Sequence, residues 1–228
     1  KYIGEALRDK ACMLGGEDLG SLKKMITKMG ELLGAEEAAK AAEYITYLDG
    51  VIDQVDKAVA GIPEEERPVI YYNSAQHGDS PLLTCGDGSI VESWINATGC
   101  KNAVAGVVQG MDKEVSFEVV AAADPDYIVV GGTNQEAAWN TIMSEAAWQE
   151  LRAVKEGKMI RNPQGVMKWE KFGVEIALQM IWFTEQVYPG VLDVDIKAEV
   201  KDFYKNYYQY ELSDAAYEDL LAGLSRPQ

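Results

Sequence analysis

The residues Asp124-Pro125-Asp126-Tyr127-Ile128-Val129-Val130-Gly131-Gly132 carry the clearest fold signal in this chain of 228 residues. The Asp-Pro-Asp turn leads into four consecutive strand-favouring residues, and two glycines end the run. A short apolar run bounded by turn residues is typical of a strand that is buried on both faces. We therefore predict a buried strand over residues 127–130.

Helical patterns flank this strand on both sides. Before it, Ser116 is placed to cap a short helix over Phe117–Ala123. After it, Thr133 and Glu136 have the spacing of a capping box, which predicts a helix that continues through Trp139. A strand between two helices indicates an alternating α/β arrangement.

Two further runs are typical of strands. Val69–Tyr72 is a compact β-favouring run, and Lys158–Ile160 is a weaker one. Between them, Ser89 and Glu92 have the spacing of a second capping box and predict another helix. Strands that alternate with helices predict a mainly parallel sheet covered by helices, which is an α/β fold.

Two amphipathic helices are predicted before the first strand. Apolar residues at every third or fourth position predict one helix over Ser21–Leu33, ended by Gly34, and a second that runs to about Ala60. At 1.5 Å per residue the second helix is about 39 Å long, the length of a small domain. Its narrow apolar seam is typical of a strut that lies along or between other units.

The last third of the chain is predicted to be helical. The apolar pattern predicts helices over Phe172–Val187, Ile196–Tyr208 and Ala215–Leu224. The turn residues Tyr188-Pro189-Gly190 and Leu212-Ser213-Asp214 separate them. This helical end suits a sheet that is covered by helices.

The charge balance excludes several classes of partner. The chain has 21 basic and 37 acidic residues, and its formal net charge is −16. Such a field repels nucleic acid and anionic lipid, because a phosphate-binding surface needs clustered Lys and Arg. No run of about 18 apolar residues, the length of a membrane span, is present in the sequence. We expect no nucleic-acid partner.

The three cysteines do not predict a metal centre. Cys12, Cys85 and Cys100 are too widely spaced for a zinc site, which favours close pairs. At most one disulfide can form among them, and Cys85 and Cys100 are the nearer couple. Small buried thiols are the simpler interpretation, since free cysteine is among the most buried residue types.

The sequence contains no recognisable catalytic constellation. His77 is the only histidine and no nucleophile is near it, which argues against a Ser or Cys hydrolase. The segment Gly86-Asp87-Gly88-Ser89 is similar to a phosphate-binding loop but lacks the glycine pattern and the lysine of nucleotide-binding motifs. We expect no enzyme activity and no intrinsic cofactor. A nucleotide-binding α/β enzyme is the alternative among enzymes.

The order of these elements resembles the substrate-binding proteins of ABC importers for iron-siderophores, haem and vitamin B12. No single string is diagnostic, but their order and spacing together are fairly specific over residues 21–224. The strings that carry the resemblance are 29–34 with 36–38, 115–118 with 124–129, 148–154 with Trp169, Phe203-Tyr204, and Leu221-Ala222-Gly223.

The resemblance implies two α/β lobes joined by one long helix, with the ligand in the cleft between them. It divides the chain into a remnant of the first lobe (1–20), a helical strut (21–62) and the second, C-terminal lobe (63–228). This is the architecture of a class III periplasmic binding protein. Only about 20 residues precede the strut, so we expect most of the first lobe to be missing, and we expect a cleft with one wall that binds chelates weakly.

The resemblance also implies a partner and a location. An acidic residue at the position of Glu118 would protrude from the second lobe and pair with an arginine of the membrane permease. Such a pair steers docking and fixes register. The alternative is that Glu118 complements the positive end of a short helix. We expect an extracytoplasmic monomer, either periplasmic or lipid-anchored, that docks on a permease with its ATPase.

Ligand contacts are expected from the loops at the carboxyl ends of the strands, where open α/β sheets bind ligands. Aromatic and amide side chains suit a bulky metal chelate, and lysines suit an anionic one. His77, in a polar loop near the expected cleft, is a less favoured axial ligand for haem iron or cobalt. The candidates are Tyr72, Asn73, Thr84, Ser89, Thr133, Asn134, Asn162, Lys168 and Trp169.

The sequence therefore predicts the substrate-binding component of an ABC importer for an iron chelate, such as a siderophore or haem, or for a corrinoid. The second hypothesis, from a different class, is a ligand-sensing or structural module that uses the same lobe without transport.

Overall fold

The computed structural model describes residues 18–76, 78 and 80–223. His77 and Cys12 lie outside the described residues, as does most of the segment predicted to be a first-lobe remnant. The described strands are β1 Val69–Asn73, β2 Leu83–Thr84, β3 Lys101–Asn102, β4 Lys113–Glu114, β5 Tyr127–Val130 and β6 Met159–Arg161. The described helices are α1 Leu19–Leu33, α2 Ala35–Val59, α3 Ile90–Ala97, α4 Phe117–Ala123, α5 Gln135–Ser144, α6 Ala146–Gln149, α7 Arg152–Lys155, α8 Ile176–Val187, α9 Ile196–Tyr208 and α10 Asp214–Leu221.

A parallel sheet in the order β3-β1-β5-β6 forms the centre of the fold. The predicted strand over 127–130 is confirmed as β5, and it lies in the interior of the sheet between β1 and β6. Its three last residues are buried, as expected for a strand covered on both faces. The α/β prediction is therefore confirmed. The strands β2 and β4 form a separate antiparallel pair.

Side chains alternate along β1 and divide the core into two layers. Ile70 and Tyr72 pack with α2, α3 and α8 on one face of the sheet. Tyr71 packs on the other face with Ile128, Val130 and the residues around Trp148. This two-layer covering follows from the period of two along a strand, which points successive side chains to opposite faces.

The helices α1 and α2 form a hairpin that packs on the lobe. The end of α2 agrees with the predicted end of the long helix, and Leu48 and Val55 on its apolar seam are fully buried. The hydroxyl group of Tyr44 donates a hydrogen bond to the backbone carbonyl of Val174, 2.8 Å away, just before α8. Gly30 permits a close crossing in the hairpin, because a Cβ atom there would lie 2.8 Å from that of Ala41. The strut is therefore packed against the lobe along part of its length.

The two capping boxes have different outcomes. Ser89 caps α3 as predicted, since its hydroxyl accepts a hydrogen bond from the Glu92 amide at 3.1 Å. The Thr133 box is wrong: α5 begins at Gln135 with Asn134 at the N-cap, and no side chain caps it. Ser116 occupies the N-cap of α4 without a side-chain bond to the helix backbone. Spacing predicts a helix start, but loop geometry decides which side chain reaches the free amides.

Two of the C-terminal helices end or begin inside their predicted bounds. The helix α8 begins at Ile176 rather than Phe172, because residues 171–173 form a turn in which the Gly173 amide bonds the Lys171 carbonyl. The helix α10 ends at Leu221, before the predicted end at Leu224, which lies outside the described residues. Cys85 and Cys100 are buried free thiols, and no disulfide joins them.

Candidate functional site

A cavity of about 360 Å³ opens at the carboxyl ends of the parallel strands. The loops that follow β1, β5 and β6 form most of its wall, as open α/β sheets predict. The turn between β3 and β4 supplies the remainder. The lining residues are Gln76, Met111, Asp112, Thr133, Gln164, Gly165, Val166, Met167, Lys168 and Lys171.

Lys168 and Thr133 are the two predicted ligand residues that line this cavity. Thr133 lies on the loop after β5 and is exposed. The Lys168 ammonium donates a hydrogen bond to Gln76 Oε1 across 2.7 Å, which connects the loop after β6 to the loop after β1. Val166 and Met167 are half exposed beside Lys168 and give this rim an apolar surface.

A second cationic group, Lys171, lies deeper in the cavity. Its ammonium is 3.7 Å from Asp112 Oδ1 and 5.5 Å from the centre of the Tyr72 ring. The Cys85 thiol is fully buried, 4.0 Å from the same ammonium. Burial raises the pKa of this thiol against the opposing effect of Lys171, so the cysteine is held as a neutral thiol.

The carboxylate of Glu170 lies fully buried beneath the cavity and joins three segments. It accepts hydrogen bonds from the Gly132 amide at 2.9 Å, from Asn162 Nδ2 at 2.8 Å and from the Tyr72 hydroxyl at 3.1 Å. Burial raises the pKa of Glu170, while the Lys171 charge and these donors oppose that rise. The ends of β1 and β5 are thereby fastened to the loop that carries both lysines.

Glu175 holds the same loop from its other side. Its carboxylate accepts hydrogen bonds from the Val166 amide at 3.0 Å, the Met167 amide at 2.6 Å and the Tyr204 hydroxyl. Burial raises the pKa of Glu175, and the bond from Tyr204 opposes it. Two buried carboxylates therefore fix the shape of the loop over residues 163–171.

Most of the other predicted ligand residues are buried next to the cavity and bonded to protein groups. Asn162 exchanges two side-chain hydrogen bonds with Gln179, of 2.8 and 3.0 Å. Asn73 donates to the Leu83 carbonyl at 3.0 Å, and Thr84 donates to the Tyr72 carbonyl at 2.6 Å. These hydrogen bonds fix the conformation of the chain at the strand ends beside the cavity.

The remaining candidates lie in supporting positions. Trp169 is fully buried and packs edge-to-face on Trp182, with ring centres 6.4 Å apart. Ser89 is buried as the cap of α3, and Asn134 is half-buried at the start of α5. Of the nine predicted ligand residues, the structure thus brings Thr133 and Lys168 to the cavity wall. A direct ligand contact by the others stays a prediction.

Sequence reasoning missed Asp112, which enters the site from an unexpected direction. It follows β3 in the chain and reaches the cavity through the turn before β4, with its backbone in the left-handed region at φ 54°. Its amide bonds Cys85 Sγ at 3.5 Å, so the two residues are held together. Gly110 lies two residues before Asp112, but no spacing in the sequence links this turn to the strand ends.

Glu118 is exposed in the first turn of α4. A hydrogen bond from the Ser116 hydroxyl lowers the pKa of its carboxyl, so the side chain is anionic at neutral pH. Because α4 returns the chain to the start of β5, its first turn lies towards the edge of the sheet that carries the cavity. The docking role of Glu118 stays a prediction.

The described residues form neither a membrane-spanning helix nor a cluster of metal ligands. No helix within 18–223 is long and apolar enough to cross a membrane. No group of three or more His, Cys, Asp or Glu side chains in the described part of the chain is arranged to hold a metal ion.

A helix-covered parallel sheet with a cavity at its strand ends is the arrangement in which open α/β folds bind ligands. The sequence model of a family described as periplasmic binding protein matches residues 9–165. The chain belongs to this periplasmic binding protein family, which agrees with the prediction of a binding role rather than a catalytic one. A comparison with curated protein sequences finds no match.

Solved structures of solute-binding proteins share the fold. An ABC transporter solute binding protein from Sulfurospirillum deleyianum is 25% identical, with a TM-score of 0.75, over 90% of this chain and 62% of its own. A periplasmic solute binding protein from Veillonella parvula is 23% identical, with a TM-score of 0.76, over 90% of this chain and 61% of its own. The molybdate-bound protein MolA of Haemophilus influenzae is 22% identical, with a TM-score of 0.74, over 85% and 57%. The chain thus spans about 60% of the length of these structures.

Proposed function

We propose that the protein is the extracytoplasmic solute-binding component of an ABC importer and that it captures a metal chelate. The candidate ligands are a ferric siderophore, haem or a corrinoid. The observation that carries the proposal is the cavity at the strand ends, with Lys168 and Lys171 on its wall. Although the net charge of the chain is −16, two lysine ammonium groups line this one small cavity. Two positive charges at one site suit a ligand with anionic groups.

The similar solved structures support the transport part of the proposal. One is an ABC transporter solute binding protein, and another, MolA, is the molybdate-bound periplasmic binding protein of an ABC transporter. Another similar structure, a haem-binding protein, is described in complex with two haems. The ligand of the present protein belongs to this range of metal-containing solutes, and the apolar rim at Val166 and Met167 suits the organic part of a chelate.

A thermal-shift screen tests the ligand. The protein is heated with haemin, ferric citrate, a ferric hydroxamate, cyanocobalamin and molybdate, each over a range of concentrations. A ligand that binds the folded state raises the melting temperature in proportion to the logarithm of its concentration above Kd. A concentration-dependent rise with at least one chelate supports the proposal. No rise with any of them, at concentrations up to the millimolar range, contradicts it.

Docking on the permease is proposed for Glu118. The carboxylate is exposed, anionic and towards the cavity edge of the lobe, where it can meet a basic residue of a membrane partner. Glu118→Arg is expected to reduce uptake by the reconstituted importer severalfold while ligand affinity stays unchanged. Glu218→Arg, an exposed reversal on α10, is the matched control. Equal uptake by the Glu118→Arg variant and the wild type would refute the docking role.

A further inference from the structure

The Lys171 ammonium is a buried cation with weak protein partners. The residue is 8% exposed and lines the cavity. An ammonium group has three N–H donors, and the structure supplies Asp112 Oδ1 at 3.7 Å and Cys85 Sγ at 4.0 Å. The distance to Asp112 Oδ1 exceeds the 2.7–3.2 Å of a good hydrogen bond to oxygen, and the thiol sulfur is a weak acceptor at the long end of its range. A buried charge is costly unless its donors are satisfied, and among the described residues no oxygen acceptor lies within hydrogen-bonding distance of this group.

The neighbouring acceptors are already occupied by other donors. Asp112 Oδ1 accepts the Ser74 hydroxyl and lies 3.9 Å from the Cys85 thiol. The Cys85 sulfur in turn accepts the Asp112 amide at 3.5 Å. The ring of Tyr72 lies below the ammonium, and the Tyr72 hydroxyl donates its hydrogen bond to Glu170. These bonds hold Asp112, Cys85 and Tyr72 in place, and Lys171 lines the cavity, so a ligand oxygen in the cavity can reach the ammonium without disturbing them.

Lys168 differs from Lys171 in both depth and bonding. Its ammonium donates to Gln76 Oε1 at 2.7 Å, a normal hydrogen-bond distance, and the residue is less buried. Both lysines line the same cavity, so an anion seated at Lys171 also lies in the field of Lys168. The deeper lysine is therefore the one that contributes a new charge-assisted hydrogen bond when a ligand enters.

We propose that Lys171 is the residue that recognises the ligand, and that it binds an anionic oxygen such as that of a carboxylate, hydroxamate, catecholate or phosphate. This inference rests on the proposed function, because it assigns the chemistry of the same cavity. Lys171 selects an anionic chelate over a neutral one, and Asp112 holds the ammonium at the cavity wall until the ligand arrives.

Titration of the ¹⁵N-labelled protein with gallium citrate, a diamagnetic analogue of ferric citrate, tests the assignment by NMR. Lys171→Gln is expected to weaken binding about 10- to 100-fold, the loss typical of a hydrogen bond to a charged group. Lys171→Arg keeps the charge and is expected to retain most of the affinity. Lys155→Gln removes a lysine charge from α7, where the ammonium pairs with Glu150 at 2.7 Å, and is the matched control with unchanged affinity. The NMR spectrum of each variant reports whether it is folded.

The outcomes separate this inference from the proposed function. Wild-type binding that Lys171→Gln leaves unchanged overturns the inference and keeps the function. The inference is also overturned, and the proposed function kept, if neutral cyanocobalamin binds more tightly than every anionic chelate and Lys171→Gln does not change its affinity. If no chelate binds, the proposed function fails, and a titration with orthophosphate decides the inference. Phosphate-induced chemical-shift changes near Lys171 that disappear in Lys171→Gln support the inference. If phosphate causes no such changes in the wild type, the inference is overturned as well.

Discussion

The hydroxyl group of Tyr72 donates a hydrogen bond to the carboxylate of Glu170 across 3.1 Å. Tyr72 lies at the end of β1 and Glu170 lies in the loop after β6, so this bond joins two segments that are 98 residues apart in the chain. The same carboxylate accepts the Gly132 amide at the end of β5. The floor of the cavity is therefore fixed before a ligand arrives, which lowers the entropic cost of binding.

Removal of the Glu170 carboxylate is expected to destabilise the protein and weaken ligand binding. Glu170→Ala removes the acceptor of three buried hydrogen bonds, of which Asn162 Nδ2 alone keeps a second acceptor in Gln179, and we expect a loss of about 3 kcal/mol in the free energy of unfolding. Glu170→Gln keeps one acceptor oxygen and is expected to lose less. Urea unfolding of both variants measures these losses. Equal stability of Glu170→Ala and the wild type would show that the three bonds contribute nothing.

A buried carboxyl with a raised pKa makes stability depend on pH. Burial raises the pKa of Glu175 above its usual value of 4.5, so the folded state holds this proton more tightly than the unfolded state does. The contribution of Glu175 to the free energy of unfolding is then largest below pH 4.5 and falls as the pH rises towards the folded-state pKa. Glu175→Gln removes this titration.

The measurement is urea unfolding of the wild type and Glu175→Gln at a series of pH values from about 4 to 8. The difference in the free energy of unfolding, wild type minus variant, is expected to decrease as the pH rises above 4.5. A constant difference, or one that increases with pH, would mean that Glu175 is not held in a raised-pKa environment.

Gly165 is predicted to be essential to the shape of the ligand loop. A Cβ atom at this position would lie 1.9 Å from the Tyr204 hydroxyl oxygen and 2.0 Å from Glu175 Oε1. Gly165→Ala therefore forces the loop away from Glu175, and we expect a loss of 1–3 kcal/mol, about the cost of overpacking a filled site. Chelate affinity is expected to fall as well, because Lys168 and Lys171 follow in the same loop.

The matched control for this substitution lies in α2. A Cβ atom at Gly50 meets nothing within 4 Å, so Gly50→Ala is expected to stabilise the helix by about 0.5–1 kcal/mol. Urea unfolding compares the two alanine variants. A decrease in the free energy of unfolding for Gly165→Ala, together with an increase for Gly50→Ala, supports a loop that is held in one shape. No change for Gly165→Ala would show that the loop is free to move.

The fold was largely predictable from the sequence because its signals are local. The run at Tyr127–Val130 and the helix Ile196–Tyr208 have the predicted bounds, since periodicity and turn residues define them. The sequence also placed the candidate site at the strand ends, and two of the residues that it named, Lys168 and Thr133, line the cavity there. Burial of Trp169 was not predictable, because an aromatic residue flanked by Lys168 and Glu170 suits an exposed face as well as a core.

The polar network under the cavity could not be predicted, for a physical reason. Apart from Asn162, which is 8 residues from Glu170, the partners cited for Glu170 and Asp112 are 27 to 98 residues away, and such pairings depend on how the strands are ordered in the sheet. A charged residue read from sequence alone is normally assigned to the surface. Glu170 is instead fully buried, and its place as an acceptor for three segments appears only when β1, β5 and β6 are brought side by side.

Chemical-shift mapping with gallium citrate tests whether the cavity at the strand ends is the ligand site. We expect the largest amide shifts on the cavity wall, at Gln76, Thr133 and the segment 164–171, and no shifts in α1 and α2. Saturable shifts centred on the α1–α2 hairpin, or on the far ends of the strands at Val69 and Tyr127, would contradict this expectation.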